Sequence, residues 1–246
     1  MMPAHVVKIA ENTWIEAGIF PSHIGFESAI SKDNPTYSRS LVAELSPYYE
    51  AGVKATTTFK NFSFQALILN GWQNIRENNT DKAFGTQLQY APVEKTVLNW
   101  STFYGNEQPR DSASKPRIFN NVYIQFPIAE VSLTAGADIG FQKNPGNSYD
   151  SWWGAVFIAR MLFLKDFAIA GRAEYFSDPQ GIVASTGTIN NFQVFSASVN
   201  IDYAVRENIL ARLEGRIFNS KDKIYRSRNS NSASDRFIAA SMTITF

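Results

Sequence analysis

Cysteine is missing from the 246 residues. That excludes disulfides, thiolate metal centres and cysteine nucleophiles. Histidine is nearly missing too. His5 and His23 are the two present, too few for a histidine-rich metal cluster, and no cofactor or metal is expected. Charge is scarce, at 18% of residues against about 25% in a typical soluble domain. It is also balanced, with 23 Lys plus Arg against 22 Asp plus Glu and a net charge of +1. A nucleic-acid partner, which needs a basic surplus, is therefore excluded. Long apolar runs are lacking: the longest, counting glycine, is Trp152 to Ala159, well short of the roughly 18 residues of a spanning helix. The start, Met1-Met2-Pro3-Ala4-His5, has neither a basic n-region nor an apolar h-region, so it does not read as a secretory signal. A removed leader, a fragment of a longer chain and a cytoplasmic protein are the three readings of such a start.

Aromatic residues, by contrast, are abundant: 19 Phe, 10 Tyr and 5 Trp. Such a composition rules out intrinsic disorder. Apolar residues alternate with polar ones at period two. Val131, Leu133, Ala135, Ala137, Ile139 and Phe141 oppose Ser132, Thr134, Gly136, Asp138 and Gly140. Phe195, Ala197, Val199, Ile201 and Tyr203 oppose Ser196, Ser198, Asn200 and Asp202. This is strand periodicity. Extended along the chain, it predicts twelve strands, starting with Val7–Phe20 and ending with Phe237–Phe246. Many are longer than the usual 5–6 residues or so. Tight links such as Lys60-Asn61 and Leu164-Lys165-Asp166 alternate with long polar ones such as 105–116, 142–150, 177–189 and 219–235. Hairpins with short turns on one side and long loops on the other fit an all-β, antiparallel transmembrane β-barrel over residues 1–246, a single domain.

Aromatic spacing agrees with a membrane. Tyr49 and Phe59, Phe62 and Trp72, and Trp153 and Phe163 are each ten positions apart. On a tilted strand that separation rises about 25 Å, the height of an apolar band between aromatic girdles. These six residues are the expected membrane girdle. The final strand alternates Ile238, Ala240, Met242, Ile244 and Phe246. Its terminal Phe246 resembles the insertion signal by which bacterial outer-membrane barrels are recognised by the barrel-assembly machinery.

The stretch Trp14-Ile15-Glu16-Ala17-Gly18-Ile19-Phe20-Pro21-Ser22-His23-Ile24-Gly25-Phe26-Glu27, followed by Asn34-Pro35-Thr36-Tyr37-Ser38-Arg39-Ser40-Leu41 and Ser46-Pro47-Tyr48-Tyr49-Glu50-Ala51-Gly52-Val53, resembles the OmpL-like β-barrel porins of Gram-negative bacteria. The hairpin pattern extends the likeness to Phe246. The resemblance implies a porin of the outer membrane that passes small hydrophilic solutes or ions and meets outer-membrane lipid, with a homotrimer as a common assembly. Such porins usually carry a signal peptide and further strands before this point, so the chain is expected to lack several. Twelve, being even, could also close alone.

The connection from Pro21 to Ser46 is the expected constriction loop. Residues 38–45 are predicted as a short helix with Ser38 as N-cap. Phe26, Ile30, Leu41, Val42 and Leu45 offer an apolar face for packing on a wall. Its charges are Glu27, Lys32, Asp33, Arg39 and Glu44. If apolar faces meet lipid, the opposite faces line the pore. They carry Glu50, Lys54, Asp138, Arg160, Arg172, Glu174, Asp202, Arg212, Glu214 and Arg216, five cations against five anions. Rings of one sign select the opposite ion, so this balance predicts weak selectivity, with Arg172, Arg212 and Arg216 as a basic strip. The alternative is barrel-filling ion pairs with no transport role.

Two other classes remain. A barrel hydrolase needs a serine within reach of a histidine. Ser22 and His23 are adjacent and point apart on an extended chain, and no Gly-x-Ser-x-Gly elbow occurs. No catalytic residue is assigned. A soluble all-β binding module would stay dissolved without detergent.

Overall fold

The computed structural model describes residues 4–77, 79–110, 112–227 and 230–245. Thirteen strands pair in chain order within one sheet. They are β1 (Ala4–Ala10), β2 (Thr13–Pro21), β3 (Tyr49–Phe59), β4 (Phe62–Leu69), β5 (Ala83–Tyr90), β6 (Val97–Asn106), β7 (Pro116–Ile128), β8 (Val131–Lys143), β9 (Tyr149–Leu164), β10 (Phe167–Asp178), β11 (Phe192–Arg206), β12 (Ile209–Ser220) and, after the two-residue strands β13 (Tyr225–Arg226) and β14 (Asn231–Ser232), β15 (Ser234–Ile244). Every pair with a resolved register is antiparallel, for example Arg172↔Ser198 and Glu214↔Asn200.

The expected strands are present, with one division. Val7–Phe20 is not one strand but a hairpin. β1 and β2 pair with Val6↔Glu16 and Ala10↔Thr13 around a turn at Glu11-Asn12. Alternation runs on through a two-residue turn, so periodicity alone hides it. Lys60 and Ala129 take left-handed conformations (φ 51° and 50°) at the β3–β4 and β7–β8 turns, the geometry tight hairpins require. The 142–150 link is shorter than expected, because β8 and β9 extend to Lys143 and from Tyr149.

Packing divides the chain into two compact units. One holds the described residues up to Phe26, Ser46–Ile124 and Asp138–Ser151; the other holds Glu27–Leu45, Gln125–Ala137 and the described residues from Trp152 onward. Both have the same inverted pattern. In β10, Ala168, Ala170, Arg172 and Glu174 are buried while Ile169 is exposed. In β4 and β5, Leu67, Leu69, Ala83 and Gln87 are buried, and Phe62, Phe64, Ile68, Phe84 and Leu88 are exposed. Charged and amide side chains share the buried face with small and apolar ones, and the open face is aromatic and aliphatic. A water-soluble sheet does the opposite. An apolar sheet face of this extent requires a non-aqueous solvent.

The connection between β2 and β3 holds the helical structure: a 3₁₀ turn at Ser31–Asp33 and a single helical turn α1 (Leu41–Glu44). Its N-cap is Ser40, whose Oγ accepts from the Ala43 amide at 3.3 Å. Ser38, the expected cap, is held elsewhere, as described next.

Candidate functional site

In the second unit, residues 27–45 lie on the polar face of β10–β12. Three arginines of that face hold them by their main chain. Arg172 donates to the Ser38 carbonyl at 2.6 Å, to Ser38 Oγ at 3.0 Å and to Thr36 Oγ1 at 2.9 Å. Arg212 donates to the carbonyls of Ser31 (2.6 Å) and Asn34 (2.9 Å). Arg216 donates to the Arg39 carbonyl at 3.0 Å and to Ser38 Oγ at 3.1 Å. Carboxylates of the same face complete the grip from the acceptor side. Glu214 accepts from the Ser38 amide and Glu174 from the Leu41 amide, each at 2.6 Å. Tyr37 N donates to Asn200 Oδ1 at 3.1 Å.

Each guanidinium is also ion-paired: Arg172 with Glu174 (3.2 Å) and Glu214 (3.1 Å), Arg216 with Glu174 (2.6 Å), Arg212 with Asp202 (2.8 Å). Side-chain exposure of these six groups is at most 6%. Charges this deep persist only when paired and hydrogen-bonded. A sheet surface shaped for the segment is also visible in the backbone. A Cβ on Gly154 would lie 2.8 Å from Val42 Cγ1 and 2.6 Å from the Phe176 ring. Glycine there admits Val42, 4% exposed, against the strand. Within the segment, Ser40 N and Oγ both donate to Glu27. Burial pushes the Glu27 carboxyl above the ordinary range, with the Ser40 bonds and the charge of Arg172 acting in the opposite sense.

In the first unit the start of the same connection is anchored by one histidine. His23 Nε2–H donates to the Thr102 carbonyl at 2.8 Å, and Nδ1 faces Glu50 Oε2 at 2.9 Å. The His23 carbonyl accepts from Gln87 (2.6 Å) and Ser101 (2.7 Å). Gly85 makes room: its Cβ would meet the imidazole at 2.7 Å. Gly25 N donates to Asn121 Oδ1 (3.2 Å), and Asn121 Nδ2 to Asp138 (2.6 Å). Phe26 packs edge-on against Tyr123.

The expected pore-lining residues therefore all lie on the buried, polar face, but most are not open to water. Glu50, Asp138, Arg172, Glu174, Asp202, Arg212, Glu214 and Arg216 are at most 5% exposed. Lys54, paired with Glu16 at 2.7 Å, and Arg160, 37% exposed and 3.2 Å from Asp202, are the more open ones. The basic strip is not a free ladder; the segment covers it, because backbone carbonyls satisfy donors that carboxylates leave over. Four of the segment's five charges remain at its surface as mixed pairs, Lys32 with Asp33 (3.2 Å) and Arg39 with Glu44 (3.2 Å), while Glu27 is turned inward onto Ser40. Beside them is a pocket of about 280 Å³ lined by Ala29, Ser31, Asn34, Tyr37, Ser38, Arg39 and Glu44. Sequence reasoning missed His23 as an anchor and the roles of Ser38 and Thr36. Glycines at polar-face positions of strands, Gly85 and Gly154, were the signal that something approaches.

On the apolar face, Phe59, Phe62, Trp153 and Phe163 are exposed, and Tyr49 is half-buried. Phe62 stacks on Tyr90 at 4.5 Å, and Trp153 packs on Tyr175. Trp72 departs from expectation. β4 stops at Leu69, Gly71 takes φ 143°, and the parity breaks. The indole turns to the buried Phe103 and Phe119 (4.9 and 4.8 Å), under the Arg117 guanidinium. Its amide donates to Glu107, whose carboxyl is pushed up by burial. Phe246 lies outside the described residues.

Comparison with known proteins agrees with this geometry. The family model described as "Putative beta-barrel porin-2, OmpL-like" matches residues 4–246. Among solved structures, the outer-membrane-expressed OmpT of Vibrio cholerae aligns with a TM-score of 0.64 at 10% identity, covering 98% of this chain and 80% of that one. An anion-selective porin from Comamonas acidovorans aligns with a TM-score of 0.59 at 9% identity, covering 92% and 69%. OccK11 (OpdR) of Pseudomonas aeruginosa aligns at 0.53 and 11%, covering 94% and 66%. At these identities the likeness is one of fold. Among curated proteins, no sequence matches.

Proposed function

Since this chain belongs to the OmpL-like β-barrel porin family, channels of the outer membrane, we propose that small hydrophilic solutes or ions diffuse passively along its polar face and that residues 27–45 narrow their path. The observation that carries this is the grip of Arg172, Arg212 and Arg216 on the carbonyls of Ser31, Asn34, Ser38 and Arg39. A covering loop at the rim needs no such anchorage. This one is fastened by charge-assisted bonds, the strong kind, to residues deep in the strands. What a solute meets is then the exposed surface of the segment, with Lys32, Asp33, Arg39 and Glu44 in mixed pairs. Charges of both signs favour weak ion selectivity.

The whole chain acts as one barrel domain in this reading. Insertion by the barrel-assembly machinery, with the terminal strand as its signal, and a homotrimer complete it. A hydrolase is disfavoured. Both ring nitrogens of His23 are engaged by Glu50 and Thr102, and Ser22 Oγ accepts from the Ile24 amide at 3.1 Å. Among the described residues, no serine hydroxyl meets a ring nitrogen of His23.

Deleting residues 28–43 and measuring single-channel conductance in planar bilayers is the test. The expected result is a larger conductance. An unchanged conductance would sink the constriction.

A further inference from the structure

The apolar face of β9–β12 and β15 carries one charged side chain among its described residues, Arg236. β15 pairs with β12 so that Arg236 sits opposite Ile217 and Ile238 opposite Gly215. Ile217 and Ile238 are exposed, the latter at 80%. The main-chain N–H of Arg236 donates to Asp235 Oδ1 at 2.8 Å. Its guanidinium makes no ion pair among the described residues, in contrast to the arginines of the opposite face.

A groove of about 440 Å³ includes this residue in its lining, with Gly215, Ile217 and Ile238 and the intervening Arg216 and Phe237. Gly215 forms its floor: a Cβ there would meet nothing within 4 Å. The surroundings, Val199, Leu213 and Met242, are exposed and apolar. Arg236 is the third residue of β15, just after the long β12–β15 connection. Long connections lie on the extracellular side of outer-membrane barrels. That places the cation at the headgroup level of the outer leaflet, with the groove running from it into the hydrocarbon.

We propose that this groove binds a phosphate-bearing lipid of the outer leaflet. One acyl chain lies over Gly215, and the phosphate sits on the Arg236 guanidinium, whose planar fork matches phosphate oxygens. The proposal rests on the porin reading for its orientation in the membrane. Charge complementarity selects the occupant. A neutral lipid or an apolar protein face would leave the one cation of the surface without a counter-charge.

The test is native mass spectrometry of the full chain refolded in detergent, titrated with phosphatidic acid or with the matched diacylglycerol. Wild-type protein should retain one phosphatidic acid at roughly tenfold lower concentration than diacylglycerol. Arg236→Gln should abolish that difference. Gly215→Leu, which fills the groove into open space, should lower retention of both lipids. Both variants should conduct as wild type does, which shows that they fold. Equal retention of the two lipids by wild type, or undiminished phosphatidic acid on Arg236→Gln, overturns the proposal. So does a dimer that Gly215→Leu dissociates, since a second copy would then be the occupant. Wild-type protein that binds the lipid but does not conduct breaks the porin reading and leaves the lipid site standing.

Discussion

The two ends of the β2–β3 connection are fixed by different chemistry. Residues 22–26 are held by one imidazole, amides and a single buried carboxylate, Glu50. Residues 27–45 are held by three guanidiniums interleaved with Glu174, Glu214 and Asp202. The first attachment is one buried His23–Glu50 pair with neutral hydrogen bonds around it, each of the latter contributing about 1 kcal/mol net. The second is a closed charge network, where each member protects the others from being buried unpaired. The difference teaches where the segment can be released. Removing one amide loosens the first end, whereas removing one charge disrupts the whole second end.

Arg172→Met should give the largest effect. It leaves Glu214 without its guanidinium and Glu174 with Arg216 alone, at a cost of about 3–5 kcal/mol for a broken buried pair. Conductance should rise toward that of the 28–43 deletion, and the urea midpoint should fall. His23→Ala breaks one buried pair rather than a guanidinium shared by two carboxylates and should cost less, about 3 kcal/mol for Glu50 left without its partner. It should lower the melting temperature of the refolded protein while leaving conductance near wild type. If it opens the channel more than Arg172→Met does, the contrast between the two ends is reversed.

Lys54→Met offers a smaller comparison. The Lys54–Glu16 pair is partly open, and its loss should change stability by about 1 kcal/mol or less, measured by the same urea titration. The smallest effect belongs to Asp222, a half-buried loop carboxylate that accepts from the Asn190 amide (2.8 Å) and side chain (2.9 Å). These bonds hold it below the ordinary carboxylate range. With the folded-state value depressed, the pin contributes above the unfolded carboxylate value and is lost as pH falls through the lowered one. The Asn190 amide shift should therefore titrate in acid, and Asp222→Asn should remove that step.

Most of the sheet was legible in the sequence, because period-two alternation reports directly which face each side chain takes. The polar face was legible for the same reason: Arg172, Glu174, Arg212, Glu214 and Arg216 follow from parity alone. The grip on the loop was not. Its partners are main-chain carbonyls, which every residue carries, so no residue type marks Ser31 or Asn34 as an acceptor. The β1–β2 turn escaped because the alternation keeps its parity across Glu11-Asn12. Trp72 escaped because β4 ends at Leu69 and Gly71, at φ 143°, changes the chain's direction just before it.

The two attachments also differ in when they can form. His23 reaches Glu50 across 27 positions of sequence, whereas Ser38 waits for Glu214 across 176 and Ser31 for Arg212 across 181. Contacts of such separation come late, since much chain must be ordered before they contribute. During assembly the near end is therefore tethered early, and the far end is fixed only as β10 to β12 join the sheet. If residues 27–45 narrow the path as proposed, the channel is built open and narrows as its last step.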